Sequence, residues 1–244
     1  MLRLARGLRP QTSLEIYELD ARQETLARID PRSAGNLDTW LVPCREAQRL
    51  LDQAKTSIEP IAASSPQAIT VHPVVQSGEV WLRFRGLAFA RWDDGKMFFG
   101  GVDARQKLTS ASEPALKQLL HDLEVHRHAL ETDARHPLYR QQSERWLESI
   151  VRGDVTRIDA TLDSRFVYAQ VFANTSSERG ILDLLTVTRE GRLAILELKT
   201  TEHIHLPLQA ANYWLRIRRH LLRGDFPRYG YFTGIELQVT APIV

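Results

Sequence analysis

Apolar residues recur along this chain with two periods, and the switch between them outlines its elements. From Pro43 to Ala62, Leu50, Leu51, Ala54 and Ile58 return at helical spacing, which predicts an amphipathic helix. Ala62-Ala-Ser-Ser-Pro66 reads as a loop. A β region follows, with strands expected over 68–75, 79–85, 87–92 and 96–99. Val80, Leu82 and Phe84 alternate there with Trp81, Arg83 and Arg85, so one face is apolar and the other carries arginines and a tryptophan. Asp93-Asp94-Gly95 is the turn between the last two strands. Helical spacing returns from Glu113 to about Thr132, with Leu116, Leu119, Leu120, Leu123 and Leu130 inward.

Beyond a linker at Asp133–Pro137, the pattern predicts a helix over 137–152, with Trp146, Leu147 and Ile150 on its apolar side. Strand-like runs follow over 156–161, 165–173, 181–188 and 193–200. Pro207 suits the start of a helix reaching about Leu222, because its missing N–H has no partner there in any case. Residues 229–232 complete the series as a short strand. The chain thus divides into an α+β domain over residues 1–134 and an α/β domain over 135–244.

Charge enters where this pattern least allows it. Leu193-Ala-Ile-Leu-Glu-Leu-Lys-Thr200 reads as a buried strand, yet it contains Glu197 and Lys199. Alternation puts both on one face. Arg189-Glu190-Gly191 is a plausible hairpin loop. A register symmetric about Glu190 sets Asp183 across from Glu197, roughly 4.5–5.5 Å apart at Cβ. Two carboxylates so placed repel unless a cation lies between them. A hard divalent ion with oxygen ligands suits them, and Mg²⁺ commonly takes one or two carboxylates plus waters and phosphate oxygens. The plainer alternative is a salt bridge from Lys199 to either acid.

These residues resemble a known signature. Asp183 followed by Glu197-Leu198-Lys199 is similar to the motif of the PD-(D/E)XK nuclease superfamily. Gln209-Ala-Ala-Asn-Tyr213 resembles the QxxxY motif of its RecB-like branch, and Gly180 also suits that branch. Leu182 stands where many members have proline. The resemblance implies a restriction-endonuclease-like core of α-β-β-β-α-β order over roughly 137–240, a mixed sheet flanked by helices. It implies a metal-dependent deoxyribonuclease acting in DNA repair, recombination or defence. Asp183, Glu197 and the Leu198 carbonyl would hold Mg²⁺, with Mn²⁺ as a substitute. Lys199 would orient water or stabilise developing charge. Gln209 and Tyr213 would position the cluster or the substrate. The motif-one glutamate on the first core helix, which would ligate the metal through water or a second ion, would be Glu144, with Glu148 as the other candidate. Partners implied are DNA, and either a second copy of the chain or a helicase or repair protein. The alternative is a catalytically silent nucleic-acid-binding or scaffold protein of the same fold.

Other clusters have bland readings. Arg83, Arg85, Arg91, Trp81 and Trp92 could form a single-strand platform, or simply the solvated face of a sheet. His121, Glu124 and His128 suit a solvent-facing helix stripe. His203 and His205 read as loop histidines near the carboxylates. Trp214, Leu215 and Leu221 would pack the Gln209 helix, leaving Arg216, Arg218, Arg219 and Arg223 as a basic side facing phosphate. Arg3, Arg6 and Arg9 form a further basic group.

Composition narrows the class only a little. The 244 residues are 43% hydrophobic and 25% charged, ordinary for a globular protein. A net charge of +2 is compatible with DNA binding without demanding it. One cysteine, Cys44, excludes an internal disulfide framework and a cysteine-rich zinc site, and suits a reducing cytoplasm. No apolar run approaches the roughly 18 residues of a membrane span, and the start lacks the apolar stretch of a signal peptide. No glycine-rich phosphate loop with lysine marks an NTPase. The apolar ending Val239–Val244 has no stop signal and suits a fragment of a longer protein.

Overall fold

Periodicity and turn chemistry set most of the elements in the computed structural model, which describes residues 16–20, 24–29, 41–101, 105–133, 135–172 and 180–240. A short hairpin that the sequence reading did not anticipate comes first, β1 (Ile16–Asp20) against β2 (Thr25–Ile29). Then follow α1 (Cys44–Ala62) and five strands: β3 (Ile69–Val74), β4 (Glu79–Phe84), β5 (Leu87–Asp93), β6 (Lys96–Phe99) and β7 (Gln106–Lys107). Helices α2 (Glu113–His126), α3 (Pro137–Arg140) and α4 (Ser143–Gly153) come next. The last part holds β8 (Tyr168–Phe172), β9 (Ile181–Val187), β10 (Leu193–Leu196), α5 (Leu206–Arg223) and α6 (Asp225–Arg228).

The chain is therefore a mixed α/β protein. Its residues divide into two compact units, one of Val42–Ala160 and one made up of Met1–Leu41 together with Thr161–Val244. The division falls at 160/161 rather than at the expected 134/135.

The reason lies in how α4 is held. Arg127, fully buried, leaves the end of α2 with φ −111° and ψ 65°. Its guanidinium donates to the carbonyls of Arg85 (3.1 Å), Leu138 (2.6 Å), Gln141 (2.8 Å) and Gln142 (3.4 Å). It also lies 4.8 Å from the Trp146 ring centroid. Burial and the nearby Arg85 charge lower its pKa to about 10. Gly86 has φ +82°, and a Cβ there would meet the Arg145 carbonyl at 2.0 Å, so the β4–β5 turn approaches α4 as only glycine permits. These contacts tie α3 and α4 to the first unit.

In that unit β3 to β7 form an antiparallel meander in sequential order, flanked by helices. Val80, Leu82 and Phe84, all 0% exposed, face α1 through Leu50, Ala54, Ile58 and Ile61. Asp94 and Gly95 both take positive φ, as the expected turn requires. Helix α2 stops short of Thr132 because Arg127 leaves it, so Leu130 is 86% exposed rather than inward. The helix expected over 137–152 breaks at Gln142, whose φ is 51°. Its buried residues are Glu148 and Val151, while Ile150 is exposed.

In the second unit β10, β9 and β8 pair antiparallel in that order. The strand expected over 156–161 is instead a 3₁₀ turn at Val155–Arg157, followed by a lone bridge between Leu162 and Thr188. The strand expected over 229–232 does not form. Tyr231 and Phe232 turn inward beside Phe226 and Tyr168, and the Phe232 N–H donates to the Tyr168 hydroxyl at 2.9 Å. The described sheet is thus wholly antiparallel, not mixed. Residues Arg3, Arg6 and Arg9 lie outside the described residues.

Candidate active site

The β9–β10 hairpin carries the two acids in the expected register. Leu193 pairs with Val187 and Leu196 with Leu184, so the next residues in line are Glu197 and Asp183. The ladder ends at that step. The Asp183 N–H donates to Glu197 Oε1 at 3.3 Å, and the Leu198 N–H donates to Asp183 Oδ2 at 3.0 Å. Each carboxylate therefore takes a backbone donor of the opposite strand. The exchange explains how acids persist beside Leu182 and Leu184, both 0% exposed. Asp183, Glu197, Leu198 and Lys199 are all half-buried, and the last three lie just past the end of β10.

Helix α5 brings the third group. Leu206 and Pro207 open it, and Gly224 closes it in a left-handed conformation with φ 68°. Its buried stripe is Tyr213, Arg216, Ile217, His220 and Leu221, which recur at helical spacing. Gln209 stands one turn before Tyr213 and donates from Nε2 to Glu197 Oε2 at 3.1 Å. Tyr213 is itself buried, and its pKa is raised by that burial and then by the Glu197 charge. Hydrogen bonding to Gln209 and the nearby Arg216 act in the opposite direction. Asp183, Glu197, Gln209 and Tyr213 thus meet at one end of the hairpin.

Arg216 departs from its expected place on a solvated basic side. It is 1% exposed, with its guanidinium 5.6 Å from the Tyr213 ring centroid. His220 is equally buried and pairs with Asp225 at 2.7 Å, which fastens α5 to α6. Helical spacing alone could have marked both, since they fall on the Tyr213 stripe. Trp214 and Leu215, expected to pack, are only half-buried, and Arg218 and Arg223 are exposed. His203 and His205 lie on exposed residues between Lys199 and α5, their rings 5.9 Å apart.

Glu144 and Glu148 lie on α4, within the Val42–Ala160 unit. Glu148 is 3% exposed and accepts from Arg145 Nη1 at 2.5 Å. Glu144 stands in the first turn of α4. Among the described residues, no group of three or more His, Cys, Asp or Glu side chains is gathered to hold a metal ion. The hard donors at the hairpin are the Asp183 and Glu197 carboxylates and the Leu198 carbonyl. That set suits an ion that keeps several waters, as Mg²⁺ does, and does not suit a closed protein cage.

The candidate single-strand platform is largely occupied. Trp92 is a core residue at 7% exposure. Arg91 binds Glu79 and Asp93, and Trp81 Nε1 donates to Glu79 at 3.1 Å. Arg85 bonds the Arg127 carbonyl. His121 and Glu124 are exposed, in keeping with a solvent-facing stripe. No described helix is long and apolar enough to cross a membrane. The chain matches no protein-family model, no curated protein and no solved structure.

Proposed function

We propose that this protein is a metal-dependent nuclease that hydrolyses phosphodiester bonds of DNA, with a restriction-endonuclease-like core over β8–β10 and α5. The reading rests on one observation: Asp183 and Glu197 face each other at the end of the hairpin, and Gln209 of α5 is bonded to Glu197. Mg²⁺, or Mn²⁺ in its place, would be held by Asp183, Glu197 and the Leu198 carbonyl. When bound, the ion supplies Lewis acidity toward a phosphate oxygen and neutralises charge there.

The chain's own groups do the rest. The Leu198 and Asp183 N–H groups fix the two carboxylates, so neither must reorganise as charge develops. Gln209 fixes the second Glu197 oxygen and thereby its orientation. Tyr213, kept protonated by burial and by Glu197, supports Gln209 from the next turn. Lys199 supplies a cation that orients the attacking water or stabilises negative charge on the phosphorane. Glu144 is proposed for the motif-one role on the resemblance of Ser143-Glu144-Arg145-Trp146-Leu147 to the family's first core helix.

The test is cleavage of plasmid and of end-labelled single- and double-stranded DNA with Mg²⁺ or Mn²⁺, beside Lys199→Ala. Metal-dependent cutting by wild type that is lost in the variant supports the nuclease. Folded wild type that binds Mn²⁺ by calorimetry in an Asp183-dependent way, yet cuts nothing alone, points to a required helicase or repair partner. Folded wild type that neither cuts nor binds metal sinks the reading and leaves a silent scaffold.

A further inference from the structure

The Val42–Ala160 unit carries a second cluster of charge, on the face of its sheet opposite the hydrophobic core. Arg83 stands in mid-β4 between Leu82 and Phe84, which are 0% exposed and belong to the other face. Thr70 is its partner across the β3–β4 ladder, and His72 lies two residues further along β3. On α4, Arg145, Glu148 and Arg152 fall at i, i+3 and i+7, one side of a helix. Arg152 Nη1 lies 3.3 Å from His72 Nε2, and Thr70 Oγ1 lies 3.0 Å from the same nitrogen. Arg145 closes on Glu148 at 2.5 Å.

The charges do not balance within this group. Glu148 draws on Arg83 and Arg152 as well as on Arg145, so three guanidiniums share one carboxylate. Burial, then Arg83, Arg152 and Arg145, hold the His72 pKa well below its ordinary value, so the imidazole adds no charge of its own. Arg83 Nε and Nη1 are buried and find no hydrogen-bond partner among the described residues. A buried donor left unsatisfied costs about 1–3 kcal/mol, and more when charged. Such groups in a native protein call for a water or an ion. Water would satisfy a donor but not the charge. An oxyanion does both, offering several acceptor directions at once, and guanidinium–phosphate contacts are among the stronger charge-assisted bonds. The Arg145 side chain is 30% exposed, so the cluster reaches solvent.

We propose that Arg83, Arg145 and Arg152 form a binding site for a phosphate group, with Glu148 holding Arg145 in place and His72 and Thr70 completing its wall. None of these residues belongs to the hairpin site, and the proposal stands whether or not the protein cuts DNA. The shared chemistry is a phosphate oxyanion, and its source, free, nucleotide-borne or part of a nucleic-acid strand, is what the experiment distinguishes.

The experiment measures calorimetric binding and thermal melting of the full chain with inorganic phosphate, and with the same short oligonucleotide bearing or lacking a 5′ phosphate. Chloride at matched ionic strength serves as the control. Arg83→Met and Arg145→Gln are compared with wild type. Phosphate at ~10 mM is expected to raise the wild-type melting temperature by several degrees beyond chloride. Arg83→Met should fold at least as stably as wild type without phosphate and lose at least about tenfold in phosphate affinity. Should Arg83→Met fail to fold, Arg145→Gln at the exposed rim must show the affinity loss. A response to free phosphate alone assigns a small ligand. An Arg83-dependent preference for the phosphorylated strand assigns a nucleic-acid end, and equal Arg83-dependent binding of both strands assigns backbone. No response of wild type to any phosphate form, or an equal response in folded variants, overturns the site.

Discussion

The two units bury charge in opposite ways. At the end of the β9–β10 hairpin, two carboxylates sit together and are held by backbone N–H groups and the Gln209 amide. Across the sheet of Val42–Ala160, three guanidiniums gather around one carboxylate. Both would be expensive if left uncompensated, since isolated buried ions are strongly disfavoured. The hairpin holds its acids with backbone dipoles and an amide, and the partner proposed for it is a cation. The sheet face groups three guanidiniums with Glu148, and the partner proposed for it is an anion.

The largest expected effect falls on the hairpin. Asp183→Asn keeps both the shape and an acceptor for the Leu198 N–H but removes the charge. Metal-dependent cleavage should fall by about 10³-fold with little change in melting temperature. A variant that retains Mn²⁺ affinity and rate would break the comparison on the carboxylate side.

Glu148→Ala comes next and acts on stability. It removes the carboxylate that Arg83, Arg145 and Arg152 share, and should destabilise the protein by about 3 kcal/mol in urea unfolding. Phosphate should then restore more stability to the variant than to wild type. If Glu148→Ala unfolds at the wild-type urea midpoint, the arginines are not held in deficit.

Gln209→Ala should have a smaller effect, because Glu197 keeps its bond to the Asp183 N–H. A loss of about tenfold in kcat with KM nearly unchanged is expected from one neutral positioning bond. A change in KM alone would place Gln209 on the substrate instead.

The smallest effect is a pH slope. His72 has a depressed pKa when folded, so below about pH 6.5 the unfolded chain takes up a proton that the folded chain refuses. Stability should therefore fall as the pH drops through that value, by up to about 1.4 kcal/mol per pH unit. His72→Gln should flatten this part of the stability curve. An unchanged slope would mean that His72 titrates normally, against the crowding of guanidiniums around it.

Much of this was legible in the chain. The helix after Pro43, the meander and its Asp94-Gly95 turn follow from periodicity and local turn chemistry. The hairpin register did too, since a loop symmetric about Glu190 gives the pairing of Leu193 with Val187 and of Leu196 with Leu184. Asp183 and Glu197 were therefore placed together by local rules, whereas Gln209 was expected beside them only from the resemblance of Gln209-Ala-Ala-Asn-Tyr213 to the QxxxY motif.

What escaped the sequence depends on long side chains that satisfy distant backbone. Arg127 ends α2 and draws the carbonyls of residues 138, 141 and 142 around itself, and this moved the boundary between the units. Arg216 hides under Tyr213 although arginine is seldom fully buried. Glu148 and Val151, not Ile150, became the inner side of α4, where Glu148 meets the charge of Arg83 from the sheet. Pattern records which residues prefer water, and so it determined most of the strands and helices and the paired acids. Whether a charged group finds its partners inside the fold is decided by residues far along the chain, and only the tertiary structure could supply that answer.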